Sequence, residues 1–195
     1  MPRRVDHDKR RSEILLEARA MVAEGGFDAL RMRDLAERCG YAHGAIRHYF
    51  SDKDDLVHQL VVDAALQLSG HLTLRGYREA RGLAALRLLY ADLVGDDPEL
   101  LTSRLILSGL TDVLAADDRV RALVRERVTQ LREYTLTHLD EALEDGEVTG
   151  GRPLEVSAAM LVHVCAGVLS SLWLRHDDPL AAYADREVEA VLATA

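Results

Sequence analysis

The stretch that decides the fold is Met32-Arg33-Asp34-Leu35-Ala36-Glu37-Arg38-Cys39-Gly40-Tyr41-Ala42-His43-Gly44-Ala45-Ile46-Arg47-His48-Tyr49-Phe50-Ser51. Met32, Leu35 and Ala36 fall on one side of a short helix over 31–38, and Gly40 breaks it. A second short helix is predicted over 43–49, carrying Ala45, Ile46 and Tyr49. Two helices that cross steeply need a small residue where they touch, and Ala36 supplies it. They also need a turn residue that tolerates positive φ, and Gly40 supplies that. Ile46 and Tyr49 fit as inward anchors of the second helix. This is helix-turn-helix patterning, although a plain helical hairpin would give the same spacing.

Upstream, Ile14, Leu15, Ala18, Met21 and Val22 mark a helix over 8–24, which Gly25-Gly26 ends. Downstream, Ser51-Asp52 followed by acids reads as a helix N-terminus. The helix it opens runs over about 53–73, with Leu56, Leu60, Val61 and Ala64 inward. Further helices are predicted over 78–94, from Asp97-Pro98 to about 115, from Asp117-Asp118 to about 145, over 154–175, and over about 184–194. Gly150-Gly151-Arg152-Pro153 makes the clearest break. No alternating strand pattern occurs, so the expected fold is all-α.

Hydrophobic residues make up 48% and charged residues 29%, the balance of a folded chain. No apolar run approaches the roughly 20 residues of a membrane span. The start has no apolar stretch after its charges, so a cytoplasmic protein is expected. Two cysteines, Cys39 and Cys165, exclude a disulfide framework and a zinc module. The net charge is −9, unevenly spread: residues 1–53 hold 11 Lys and Arg against 9 Asp and Glu, and residues 54–195 hold 13 against 24. A basic head on an acidic body suits a head that meets a polyanion; two ordinary solvated surfaces are the alternative. There are 22 arginines and 2 lysines. A GC-rich genome produces that bias without any function.

Several spaced positions together carry a family resemblance: Met32-Arg33-Asp34-Leu35-Ala36-Glu37, Gly40-Tyr41, Gly44, Ile46, His48-Tyr49-Phe50 and Asp52-Lys53-Asp54-Asp55-Leu56, with Glu24-Gly25-Gly26-Phe27-Asp28-Ala29 upstream. Over about residues 10–60 the chain resembles the DNA-binding domain of TetR-type transcriptional regulators. The departures are Ala42, where the family usually has Ser or Thr, Arg47, where it usually has Tyr, and Leu30-Arg31, where it often has a hydroxyl residue. The resemblance implies a helix-turn-helix DNA-binding domain over 1–53. It implies a larger helical ligand-binding and dimerisation domain over 54–195. The function it implies is a ligand-responsive regulator, a homodimeric repressor released from a near-palindromic operator by a small molecule. The alternatives are an activator or DNA-binding protein without a ligand, and a helical small-molecule-binding protein or enzyme.

On that frame the DNA-binding candidates are Arg31, Arg33, His43, Gly44, Arg47, His48, Tyr49 and Lys53. His43 and Arg47 are four apart and share a helix face, with Gly44 between them permitting close approach. Arg47 has the chemistry for a bidentate contact to guanine, and Arg31 is a second candidate for a base or a phosphate. Arg33 and Lys53 suit phosphate, Lys53 at the N-terminus of its helix. Tyr49 suits either a phosphate contact or the core. Arg3, Arg4, Arg10 and Arg11 are candidates for a collar along the DNA backbone. For each arginine the competing reading is a solvated side chain.

In the body, Tyr90, Arg104, His138 and His163 interrupt apolar stripes and are the ligand-binding candidates; a satisfied core residue is the alternative for each. The small residues of helix 154–175 suit a helix packing against its twofold mate, with Ala159, Gly167, Ser170 and Trp173 as dimer-interface candidates. The eight histidines are scattered and form no metal motif. No phosphate loop, nucleophile elbow or catalytic constellation occurs. No cofactor, no metal and no enzymatic activity are expected.

Overall fold

The computed structural model describes residues 2–42, 44–77, 79–95, 97–109, 117–172 and 180–195. All regular structure in them is helical: α1 (Pro2–Ala29), α2 (Met32–Arg38), a 3-10 turn (Ala45–His48), α3 (Lys53–Leu74), α4 (Gly82–Val94), α5 (Pro98–Ser108), α6 (Asp118–Glu144), α7 (Leu154–Ser171) and α8 (Leu180–Leu192). Among the described residues no helix is long and apolar enough to cross a membrane.

Local chemistry sets the boundaries. The helical ladder of α1 is interrupted at the expected glycine pair, where Gly26 sits at φ 73° and ψ −174°, a conformation open to glycine. At the end of α2, Gly40 takes φ 70°. There the Gly40 N–H donates to the Glu37 carbonyl at 3.1 Å and the Tyr41 N–H to the Ala36 carbonyl at 2.8 Å. That pair of bonds is the Schellman stop, which satisfies carbonyls the helix leaves orphaned. Asp52, Asp97 and Asp117 cap α3, α5 and α6 by accepting backbone N–H groups of the following turn. Pro98 opens α5, as its sequence predicts.

The second short helix of the sequence reading differs. Instead of a helix over 43–49 there is one 3-10 turn, with the Tyr49 N–H donating to the Ile46 carbonyl at 2.9 Å. Five residues lie between Gly44 and Phe50. A run that short repays little of the cost of nucleating a helix, and glycine at its start adds to that cost. Burial of Ile46 and Phe50 fixes the turn instead. α5 ends at Ser108, earlier than the expected 115, and residues 110–116 lie outside the described ones.

Two apolar clusters hold the chain together. The first is built by Ile14, Ala18, Met21 and Val22 of α1, Leu35 and Ala36 of α2, Ile46, Phe50, and Leu56, Leu60, Val61 and Ala64 of α3. Ile106 of α5 and Val120 of α6 complete it. The second cluster joins α4, α6, α7 and α8 around Leu86, Leu89, Tyr90, Leu139, Leu161 and Val191. α3 therefore carries the first cluster to the edge of the second, and the head is seated on the body through α5 and the start of α6.

Candidate nucleic-acid interface

The 3-10 turn presents the basic residues of the head. A turn of this kind has about three residues per revolution, so burying Ile46 sends Arg47 and His48 outward. Ile46 is 1% exposed, while Arg47 and His48 are exposed. The face expected to be shared by His43 and Arg47 involves His43, which lies outside the described residues. Gly44 is exposed at φ −88°, and no atom lies within 4 Å of where its Cβ would stand. A flat surface can therefore approach the backbone there.

The other cations divide by what already holds them. Arg31 is exposed at the start of α2. Arg33, also exposed, lies 3.2 Å from Glu37 one turn on, a pair weak enough in water for phosphate to displace. Lys53 is exposed at the first turn of α3 and donates from Nζ to the Phe27 carbonyl at 2.9 Å, which leaves two of its donors for other partners. Arg38, by contrast, is held by Glu17 and by both carboxylate oxygens of Glu24, which raise its pKa further. It fastens α2 to α1. Tyr49 is half-buried, its ring 4.7 Å from that of His7 and 6.3 Å from that of Tyr41. Arg11 turns inward: Nη1 donates to the Tyr49 carbonyl at 2.7 Å and the guanidinium lies 4.5 Å from the centroid of the Phe50 ring. Sequence reasoning had no signal for either role, because the partners are distant in the chain. The side chains of Arg3 and Arg4 lie outside the described ones.

The four body candidates occupy separate places. Tyr90 is 1% exposed, and its hydroxyl pairs with Thr135 Oγ1 at 2.8 Å across α4 and α6. Burial of that phenol pushes its pKa up. Arg104 donates to the carbonyls of Asp92 at 3.0 Å and Asp97 at 3.2 Å. His138 lies between the Tyr77 hydroxyl, 2.9 Å from Nε2, and Glu141, 2.8 Å from Nδ1. Desolvation pushes the Tyr77 phenol up to about 12. The carboxyl of Glu141 is held below its usual range by the Gly82 N–H and by His138. His163 is exposed on α7.

On α7 five of the exposed residues follow one stripe. Val156, Met160, His163, Gly167 and Ser170 are all exposed and alternate at spacings of four and three. Ala159 flanks the stripe, half-buried, and Trp173 lies outside the described residues. A Cβ at Gly167 would meet nothing within 4 Å.

Comparison with known proteins fits this geometry. The family described as bacterial regulatory proteins, tetR family, matches residues 14–60, the stretch that runs from Ile14 through the turn to Leu60. The transcriptional repressor AcnR of Corynebacterium diphtheriae is 30% identical over 165 residues, 84% of this chain and 80% of that protein. The chain belongs to the TetR family. As a member of it, it is a DNA-binding transcriptional regulator. The regulator PksA of Bacillus subtilis is 39% identical over 57 residues, 29% of this chain and 28% of PksA. A TetR-family regulator from Agrobacterium tumefaciens has the same fold, with a TM-score of 0.79 and 18% identity over 96% of this chain and 99% of that one. The TetR-family likeness thus reaches well beyond the head.

Proposed function

We propose that this TetR-family chain is a homodimeric repressor that reads a near-palindromic operator and is released by a small molecule bound in the body. Residues 1–53 are the reader and 54–195 the effector and pairing unit. The observation that carries the DNA-reading half is the turn itself: Arg47 and His48 project from a backbone pinned by Ile46 below, beside the open Gly44. Arg47 is the base reader. Arg31, Arg33, Lys53 and the Tyr49 hydroxyl are the backbone contacts, with His48 beside them and His43 a further candidate by sequence. Arginine presents a planar fork to guanine, worth about 1–3 kcal/mol of discrimination.

The stripe on α7 supports pairing with a second copy. Small residues at Ala159, Gly167 and Ser170 let two helices approach closely, and Val156 and Met160 add apolar area. Two readers related by a twofold axis then enter successive major grooves about 34–36 Å apart. For the effector, Tyr90 bridges α4 and α6 through Thr135, and His138 on α6 bonds Tyr77 ahead of α4; a ligand exchanging partners with Thr135 or Tyr77 changes how these segments pack. Arg104 acts at the α4–α5 elbow, and His163 belongs with the α7 face.

The test is selection of bound duplexes from a random pool, repeated with Arg47→Ala. A twofold-symmetric winner, a steep fall of affinity with salt, and a flattened preference in the variant are expected. No enrichment by the folded wild-type chain at low salt overturns the reading.

A further inference from the structure

We propose that Arg11 is a positioning residue for DNA reading, one that clamps the recognition turn to α1 instead of touching DNA. The proposal rests on the reading of Ala45–His48 as the element that meets DNA. By sequence Arg11 belongs with the cations placed along the DNA backbone. In the fold its guanidinium serves the residues that follow the turn. It donates to the Tyr49 carbonyl at 2.7 Å and lies over the Phe50 ring at 4.5 Å.

The turn needs such a clamp. A single 3-10 turn has poor hydrogen-bond geometry and does not hold its own shape. Its Tyr49 and Phe50 N–H groups both donate to the Ile46 carbonyl, at 2.9 Å each, and Arg11 supplies a donor for the Tyr49 carbonyl beyond it. A bond from a charged donor is about twice as strong as a neutral one. A planar guanidinium can also bond edge-on and stack face-on at once, which an ammonium cannot.

His7 adds a second grip. It stands four residues before Arg11 on the same helix face, and its ring lies 4.7 Å from the Tyr49 ring. One residue of α1 thus holds the backbone of Tyr49 and another holds its ring. Tyr49 is two residues beyond Arg47, so the direction of Arg47 is set from α1.

Two measurements on Arg11→Met and Arg11→Lys test the clamp. The first is hydrogen exchange on the DNA-free full chain. Both variants are expected to exchange the Tyr49 and Phe50 amides about tenfold faster, with Leu60 and Val61 unchanged. The second is binding, across salt, to the duplex that the wild-type chain selects from a random pool and to its single-base variants. Both are expected to keep the salt slope and to lose preference at the position that Arg47→Ala also flattens. Unchanged exchange overturns the clamp. So does a salt slope smaller by about one with preference intact, the signature of a lost phosphate contact. Wild-type behaviour of Arg11→Lys overturns it as well, since charge alone then suffices. If the wild-type chain selects no duplex, the DNA reading of the turn fails, and the exchange measurement still decides whether Arg11 holds it.

Discussion

Arg19 and Ser103 lie 84 residues apart in the chain, and Arg19 Nη2 donates to Ser103 Oγ at 3.0 Å. The other terminal nitrogen binds the Asp63 carboxylate. One guanidinium on α1 therefore ties together α3 and α5, at the level where the reader rests on the body. Ser103 is fully buried, and the Arg19 side chain is only 14% exposed. Removing the arginine deprives the buried Ser103 hydroxyl of this donor and leaves the half-buried Asp63 without its counter-charge. Arg19→Met is expected to cost about 1–3 kcal/mol, seen as a lower urea midpoint at constant slope. A double-mutant cycle with Asp63→Asn should return a coupling of about 0.5–3 kcal/mol, and zero coupling would show that the pair contributes nothing.

Gly40 isolates the energetic effect of a left-handed backbone. At φ 70° it has no atom within 4 Å of a Cβ position, so a side chain meets strain and no clash. Gly40→Ala should destabilise by about 1 kcal/mol, and Gly40→Asn by less, because asparagine tolerates this region. Equal losses measured by denaturation would show that something other than φ decides.

The Tyr90–Thr135 pair is asymmetric. Thr135 Oγ1 gives its proton to the Leu131 carbonyl at 2.7 Å, so Tyr90 must be the donor in the 2.8 Å bond between the two hydroxyls. Thr135→Val leaves a buried phenol proton without an acceptor, whereas Tyr90→Phe removes donor and need together. Calorimetry should find the first more damaging, by about 1–3 kcal/mol against about 1 kcal/mol or less. The opposite ranking would reverse the assignment of the donor.

Acid should loosen the chain through its caps. The Asp55 N–H holds the Asp52 carboxyl below its ordinary 3.8, and Arg119 does the same for Asp117. Folded values lie below unfolded ones, so this stabilisation is complete above the ordinary value and is lost as pH falls through the lowered one. Urea midpoints measured from neutrality to about pH 2 should fall more steeply for the wild-type chain than for Asp52→Asn or Asp117→Asn. Parallel curves would remove the caps as the cause.

Pairing through α7 has a direct test. Gly167→Arg places a long cation in space that is open in one copy and filled in the proposed pair. Light scattering should then give half the mass of the wild-type particle, with weaker operator binding and an unchanged helical spectrum. An unchanged mass would place the interface elsewhere.

Most of the helical layout was legible because its signals are local. Asp52, Asp97 and Asp117 announce the starts of three helices, and Gly25-Gly26 and Gly40 announce stops within a few residues of where they act. The 3-10 turn was not legible: its apolar spacing suits a helix as well, and burial of Ile46 and Phe50 decides its geometry. Arg33 and Arg47 could be singled out from the motif, yet nothing local separates them from Arg11, Arg19 and Arg38. Those three are committed to partners from 14 to 84 residues away. Tyr90 and His138 were legible as polar breaks in apolar stripes, while Thr135, Tyr77 and Glu141 as their partners were not.

Ile106 and Val120 are both fully buried among the apolar residues of the head, although they stand on α5 and α6. Exchanging only the first fifty or so residues between two such regulators would leave two sockets in the transplanted piece, each the size of a branched aliphatic group. Cutting a buried isoleucine to alanine costs about 2–5 kcal/mol, and the smaller cavity left by a valine costs less. Grafted hybrids are therefore expected to fold well only where the recipient offers matching aliphatic plugs at those two places, which restricts recombination among paralogues to compatible pairs.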